Sequence, residues 1–217
     1  MRLTVYLCLM CLTATMPAAA HDLDAKFLIK REGKVIGYHH VDVHETAFGT
    51  VVFTEIEMRV RLGPVPLFKY DHDSREVWRE GEIITIDSDT NNNGEKTYLR
   101  AQREDGVLQI DGSGYQGPAP AEAMPSSYWD KSMIAANTII STLTGEIIDV
   151  SVEHVGETLA PHFVKAEQYR VTGTVTLDIW YDGQQMVGSQ IIIDGEELTY
   201  VLVSNDRQYA ALADFMD

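Results

Sequence analysis

Cysteine is all but absent from this chain. Its 217 residues include two, Cys8 and Cys11, both within the first twenty positions. Beyond them no thiol remains for a disulfide, a cysteine nucleophile or a thiolate metal site. Basic side chains are also scarce. The 17 Lys and Arg face 33 Asp and Glu, a formal net charge of −16. Such a surface repels nucleic acid and anionic headgroups, and it suits solubility or the attraction of cations. No segment supplies the roughly 18 apolar residues that a membrane helix needs. Also missing are G-x-S-x-G, H-E-x-x-H and a phosphate loop, and no cofactor motif is present. Asp and Glu are too numerous for one pair to stand out as an acid–base couple.

What is present begins with Arg2, a short apolar run from Leu3 to Thr15, and Ala18-Ala19-Ala20 ahead of His21. This layout is that of a secretory signal peptide cleaved after Ala20. Neither cysteine follows a small residue, as a lipid-attachment motif requires. The expectation is a signal peptide over 1–20 and a single secreted β-rich domain over 21–217, periplasmic or extracellular, without any cysteine. It would be a monomer or a weak homo-oligomer, with no nucleic acid partner and no membrane span.

Strand signals dominate the rest. From Gly49, the residues Val52, Thr54, Ile56, Met58, Val60 and Leu62 fall on one face, and Phe53, Glu55, Glu57, Arg59 and Arg61 on the other. Period-two alternation of this length predicts a sheet with one wet face. Glu32-Gly33 and Asn91-Asn92-Asn93-Gly94 read as hairpin turns. A Gly-, Pro- and Ser-rich break runs from Gly112 to Pro125, and strands resume from about Ile147. Between them, Ser126-Ser127 is read as the cap of a helix from about Tyr128 to Thr142, and 206–217 as a last short helix. The predicted fold is mainly β. It is a strongly curved antiparallel sheet, a half-barrel or open barrel of about eleven or twelve strands, around one central helix. A sheet this wide curls to protect its edges.

Three constellations carry chemistry. On one strand face lie Phe68, Tyr70, His72, Ser74, Glu76 and Trp78. Large rings with a few polar groups can line a ligand cavity, joined by Tyr128, Trp129 and Trp180 from elsewhere. The same face also reads as a core edge with buried hydrogen bonds. On another strand His40, Asp42 and His44 share a face at ligand spacing for zinc or copper, or simply form a solvated surface. A mature N-terminus at His21 would add a copper-chelating amine and imidazole. Asp89, Asn91, Asn93 and Gly94 match half of a calcium loop, but Arg100 stands where its chelating Glu belongs, and Asn93-Gly94 serves equally as a turn.

The sequence also resembles a family. Tyr70-x-His72-x-x-x-Glu76-x-Trp78, Asp87-Ser88-x-Thr90-x-x-Asn93-Gly94, Tyr128-Trp129, Thr144-Gly145-Glu146, Leu177-Asp178-x-Trp180-Tyr181 and the Gly33-Lys34-x-Ile36-Gly37 hairpin are similar to a pattern in an uncharacterised family of secreted bacterial proteins, a domain of unknown function. This chain departs from it at Asp130, where relatives tend to have Asn, and at Asn92, where they tend to have Asp. The resemblance implies a secreted location and a fold, not an activity. A looser likeness of outline reaches curled-sheet envelope proteins such as lipoprotein carriers.

The function expected from these features is non-enzymatic. It is binding or carriage of an apolar or amphipathic small molecule or lipid, or a related envelope role, with Tyr70, His72, Glu76, Trp78 and Trp129 as ligand contacts and no cofactor. The alternatives are a divalent-metal protein using His40, Asp42 and His44, and an enzyme of unrecognised type at the aromatic–His–Glu face.

Overall fold

A computed structural model describes residues 22–62, 64–193 and 195–203, together with Gln208. The expected signal peptide, His21 and all of the expected C-terminal helix except Gln208 lie outside the described residues. Sixteen strands occur among the described residues. In chain order they are β1 Leu23–Arg31, β2 Lys34–Thr46, β3 Gly49–Leu62, β4 Val65–Arg79, β5 Glu82–Asn92, β6 Glu95–Glu104, β7 Val107–Gly112 and β8 Gln116–Pro118, then β9 Met124–Pro125, β10 Thr138–Ile140 and β11 Ile147–Asp149, then β12 Ser151–Leu159, β13 Lys165–Thr172, β14 Thr176–Asp182, β15 Gln185–Ile193 and β16 Glu196–Leu202.

Thirteen of these form one antiparallel sheet, in the order β12-β13-β14-β15-β16-β1-β2-β3-β4-β5-β6-β7-β8. The sheet does not close, since β12 and β8 remain its two edges. The strand count exceeds the expected eleven or twelve because the break after β7 carries short strands of its own. Tight turns drive the meander. Glu32-Gly33, Glu80-Gly81, Asn93-Gly94 and Asp105-Gly106 all have positive φ at both positions, the geometry that two-residue hairpins demand. At Asn93-Gly94 the Asn91 Oδ1 also accepts from the Gly94 amide at 2.9 Å. The half-match to a calcium loop is therefore a hairpin, and Asp89 is engaged by Arg100 at 2.7 Å.

The alternation read on β3 holds. Val52, Thr54 and Met58 are buried, and Arg61 is exposed. A link within the large sheet that no sequence pattern announced is β1 with β16, which joins the first and last described strands through Phe27 opposite Leu202 and Ile29 opposite Tyr200.

The expected central helix is not formed. Tyr128 takes a positive φ of 50°, and Asp130, rather than Ser126 or Ser127, caps a turn, accepting from the Ser132 amide at 2.8 Å. The result is a single 3₁₀ turn over Lys131–Ala135, after which Ala136 is extended. The β-branched run Thr138-Ile139-Ile140 then pairs with β11 antiparallel and with β9 in parallel. Branched side chains and a costly nucleus make a helix of this length weak on its own, so tertiary pairing overrides its amphipathic pattern. Ser126, freed from capping, accepts from the Thr142 amide at 3.1 Å.

The segment from Ala119 to Val150 thus fills the concave side as a small sheet and loops instead of a helix. Ala123, Tyr128, Met133, Ile139 and Ile140 enter one core with Phe27, Val52, Trp78, Ile86 and Leu99 of the large sheet. Hydrogen bonds pin this filling to the wall. The Ser88 hydroxyl donates to the Thr142 carbonyl, and the Tyr181 hydroxyl donates to the Tyr128 carbonyl at 2.9 Å. Gly112 lies so close to the inserted chain that a Cβ there would stand 2.3 Å from the Thr144 carbonyl oxygen. At Thr144-Gly145 the inserted chain thus crosses β7 backbone to backbone.

Candidate functional site

The filling does not reach the whole concave side. A cavity of about 650 Å³ remains between sheet and insert, a size common to small-molecule sites. Ile56, Met58 and Tyr70 from the sheet face Ile139 and Leu143 from the insert, with Leu198 on the far wall. The strands run antiparallel, so the turns β1–β2, β3–β4, β13–β14 and β15–β16 gather at one end. Arg31, Val175, Ile193 and Glu196 line the cavity at that end, which is its mouth. Arg31 and Glu196 face each other at 3.6 Å. The hairpins at this end carry exposed apolar side chains: Leu62 is 71% exposed and Leu67 55%, and Val175 and Ile193 are exposed too.

The β4 face read from the sequence runs from this mouth to the floor. Phe68, Tyr70, His72 and Ser74 line the cavity. Glu76 and Trp78 lie below it. The Trp78 indole donates to Glu76 Oε2 at 2.8 Å, and the Trp129 indole donates to the same oxygen at 3.3 Å. The two indoles meet edge-to-face, 6.0 Å apart. Five residues expected in one ligand face are therefore divided: Tyr70 and His72 border the space, while Glu76, Trp78 and Trp129 form a closed knot beneath it. Glu76 is 1% exposed and its Oε1 has no hydrogen-bond partner. Burial pushes its carboxyl above the ordinary value, opposed by the nearby Ser127 hydroxyl and the two indoles. Tyr128 borders the cavity. Trp180 does not. It sits on the other face of β14, packed with Ala160, Ala166 and Val187, because Ile179 and Tyr181 take the inward positions.

A residue that sequence reasoning passed over completes the wall. His39 lies on the inward face of β2, between Gly37 and Val41, and its β3 partner is Ile56, whose β4 partner is His72. Its ring packs at 5.5 Å from Phe27 and 5.8 Å from Tyr200. It is 7% exposed, and neither ring nitrogen has a partner. Burial pushes His39 down to about 3, helped by the proximity of His72 and His40. His72 is tied through Nδ1 to the Thr90 hydroxyl at 2.8 Å. Burial pushes it down to about 4, against the opposing charge of Asp89. Both imidazoles are neutral near pH 7. The signal for His39 was its phase: Val41 and Val43 are inward, so His39 is too.

The neighbouring histidines face out. His40 Nε2 meets Asp24 at 2.7 Å, and Asp24 also binds Lys26. His44 Nε2 meets Asp42 at 3.0 Å. His40, Asp42 and His44 share a face as read, but each imidazole has its own carboxylate. Among the described residues no three His, Cys, Asp or Glu converge as a metal site.

The family described as "Domain of unknown function (DUF6134)" matches residues 27–203. A crystal structure of a beta-barrel-like protein of domain of unknown function DUF1849, from Brucella abortus, resembles this fold with a TM-score of 0.57 at 10% identity. The likeness covers 83% of this chain and 95% of that one, and it bears on the fold alone. No curated protein matches the chain in sequence. No helix among the described residues is long and apolar enough to cross a membrane.

Proposed function

We propose that this chain, which belongs to the DUF6134 family, is an exported binding protein or carrier for an apolar or amphipathic small molecule. The observation that carries the reading is the cavity of about 650 Å³, walled by aliphatic and aromatic side chains, with exposed apolar residues on the hairpins at one end. A concave, mostly apolar space with a few placed polar groups is what such ligands require. The signal-like segment over 1–20 supports a periplasmic or extracellular location, where carriers of water-insoluble molecules act.

Titration of an apolar fluorescent probe tests the reading. One saturable site is expected. Ile56 is half-buried on the cavity wall, so Ile56→Trp should narrow the space and weaken binding with an unchanged far-ultraviolet circular dichroism spectrum. Unsaturable binding, or equal binding by Ile56→Trp, contradicts a carrier role for this cavity.

A further inference from the structure

We infer that the end of the β3–β4 hairpin docks the protein on an anionic lipid bilayer, with Leu62, Val65 and Leu67 seated among the headgroups and Arg61 on a phosphate. This goes beyond ligand binding, and it brings the cavity mouth to a lipid surface.

The pairing pattern sets this arm apart from the sheet. β2 pairs with β3 only as far as Met58, and β5 pairs with β4 only as far as Tyr70. One further bond runs from the Asn93 amide to the Lys69 carbonyl. Beyond those points, among the described residues, the ends of β3 and β4 pair only with each other. At about 3.3 Å per residue, the arm from Arg59 to Leu62 is roughly 13 Å long. Val60, opposite Phe68, still borders the cavity. Leu62 and Val65 face each other at the free end, 71% and 54% exposed, and Leu67 is 55% exposed. A cluster of bare apolar side chains at the end of an arm marks an interaction site.

Backbone chemistry and charge select the partner. Pro64 and Pro66 are exposed, and they carry no N–H. An added strand would need those donors, so edge pairing with another chain is disfavoured. Their loss also leaves fewer polar groups to desolvate at a bilayer. Between Met58 and Tyr70 the chain has Arg59, Arg61 and Lys69 and no acidic residue, against an overall charge of −16. Arg59 bridges Asp71 and Glu57, and Lys69 bridges Asp71 at 3.0 Å. Arg61 is exposed and has no ion partner among the described residues. In the adjoining turns Glu32 is offset by Lys34, and Glu95 by Lys96. The exposed carboxylates Glu45, Glu80, Glu104 and Asp105 sit on the turns at the opposite end of the sheet. β3 has 14 residues, a length of roughly 45 Å, so those charges lie far beyond a screening length of about 8 Å. Apolar side chains beside a free cation suit the bilayer interface, where such faces sink about 5–10 Å.

Flotation of the exported protein with vesicles of phosphatidylcholine, alone or with about 30% phosphatidylglycerol, tests the docking. Binding to the anionic vesicles is expected, falling roughly fivefold or more on neutral ones or in high salt. The double variant Leu62→Ser, Leu67→Ser should weaken it roughly tenfold or more. Arg61→Gln should weaken it roughly fivefold on the anionic vesicles alone. Phe163 is 85% exposed in the β12–β13 turn at the opposite end. Phe163→Ser should therefore stay within about twofold of wild type, as a surface change away from the contact does. All of these positions are exposed, and an unchanged urea midpoint confirms each fold. The apolar-probe titration of the cavity needs no vesicle, so failure here is distinguishable from failure of the carrier reading. Binding that ignores both phosphatidylglycerol and Arg61→Gln overturns the proposal, as does an equal loss in Phe163→Ser or no loss in the double variant. A wild type that stays off both vesicles overturns it too, and self-association broken by the double variant would then assign the arm to a second copy.

Discussion

A substitution that removes an inward histidine should make the ligand-free protein more stable. His39 buries two ring nitrogens without partners. Leaving a buried polar group unsatisfied costs about 1–3 kcal/mol, whereas an apolar replacement of similar shape avoids that cost. Phenylalanine keeps the ring contacts with Phe27 and Tyr200, and its extra volume can expand into the adjoining cavity. Ligand-free His39→Phe should therefore gain about 1–3 kcal/mol in urea unfolding at pH 7, read as a higher midpoint with an unchanged slope. The gap should widen in acid. The folded His39 is held near 3, below the ordinary 6.5 of the unfolded chain. Between those values the unfolded state binds a proton that the folded state refuses, so wild-type stability falls as the pH drops below about 6.5. By pH 5 this costs about 2 kcal/mol, which the variant escapes. His72 and the raised carboxyl of Glu76 titrate in both proteins and largely cancel from the comparison. A ligand-free variant less stable than wild type by more than about 1 kcal/mol, or a gap that does not grow between pH 7 and 5, would refute the claim that these nitrogens are unpaired.

Gly37 faces the β3 backbone, where an added Cβ would lie 2.0 Å from the Glu57 carbonyl oxygen. Gly37→Ala must push two strands apart and should cost about 3 kcal/mol or more in urea unfolding, a backbone-strain effect at the high end for one methyl. A loss under about 1 kcal/mol contradicts that close approach. On β3, Ile56→Asp should be severely destabilising, because an unpaired charge would enter the concave side, while Glu57→Lys should change stability by less than about 1 kcal/mol. Similar losses for the two would remove the assigned register. Intact-mass measurement of exported protein should give a chain beginning at His21 with no thiol, and a mature form retaining Cys8 or Cys11 would contradict cleavage after Ala20.

The sheet was legible because its signals are local. X-Gly pairs fix the hairpins, and long alternation fixes which face of β3 and β4 is inward. The site was half legible for the same reason. Alternation places Tyr70, His72, Glu76 and Trp78 on one face, but it carries no depth coordinate. It does not tell that the insert stops short of His72 and closes over Trp78. The helix failed because Trp129, Met133, Ile134 and Ile140 mimic an amphipathic stripe, while Asp130 and the Thr138–Ile140 run favour a capped turn and a strand. Their partners, β9 and β11, are strands of two and three residues, too short to show a pattern of their own. His39 was hidden by its neighbours. His40, Asp42 and His44 form a conspicuous motif on the wet face, whereas a single histidine in an aliphatic phase reads as core until a cavity is seen beside it.

Native mass spectrometry of the protein purified from the periplasm or the medium tests the central claim most directly. The account predicts a species heavier than the bare polypeptide by the mass of one small, water-insoluble molecule, depleted in Ile56→Trp purified alongside. A wild-type protein that flies at its polypeptide mass alone, and that stays bare after incubation with the apolar probe, would contradict it.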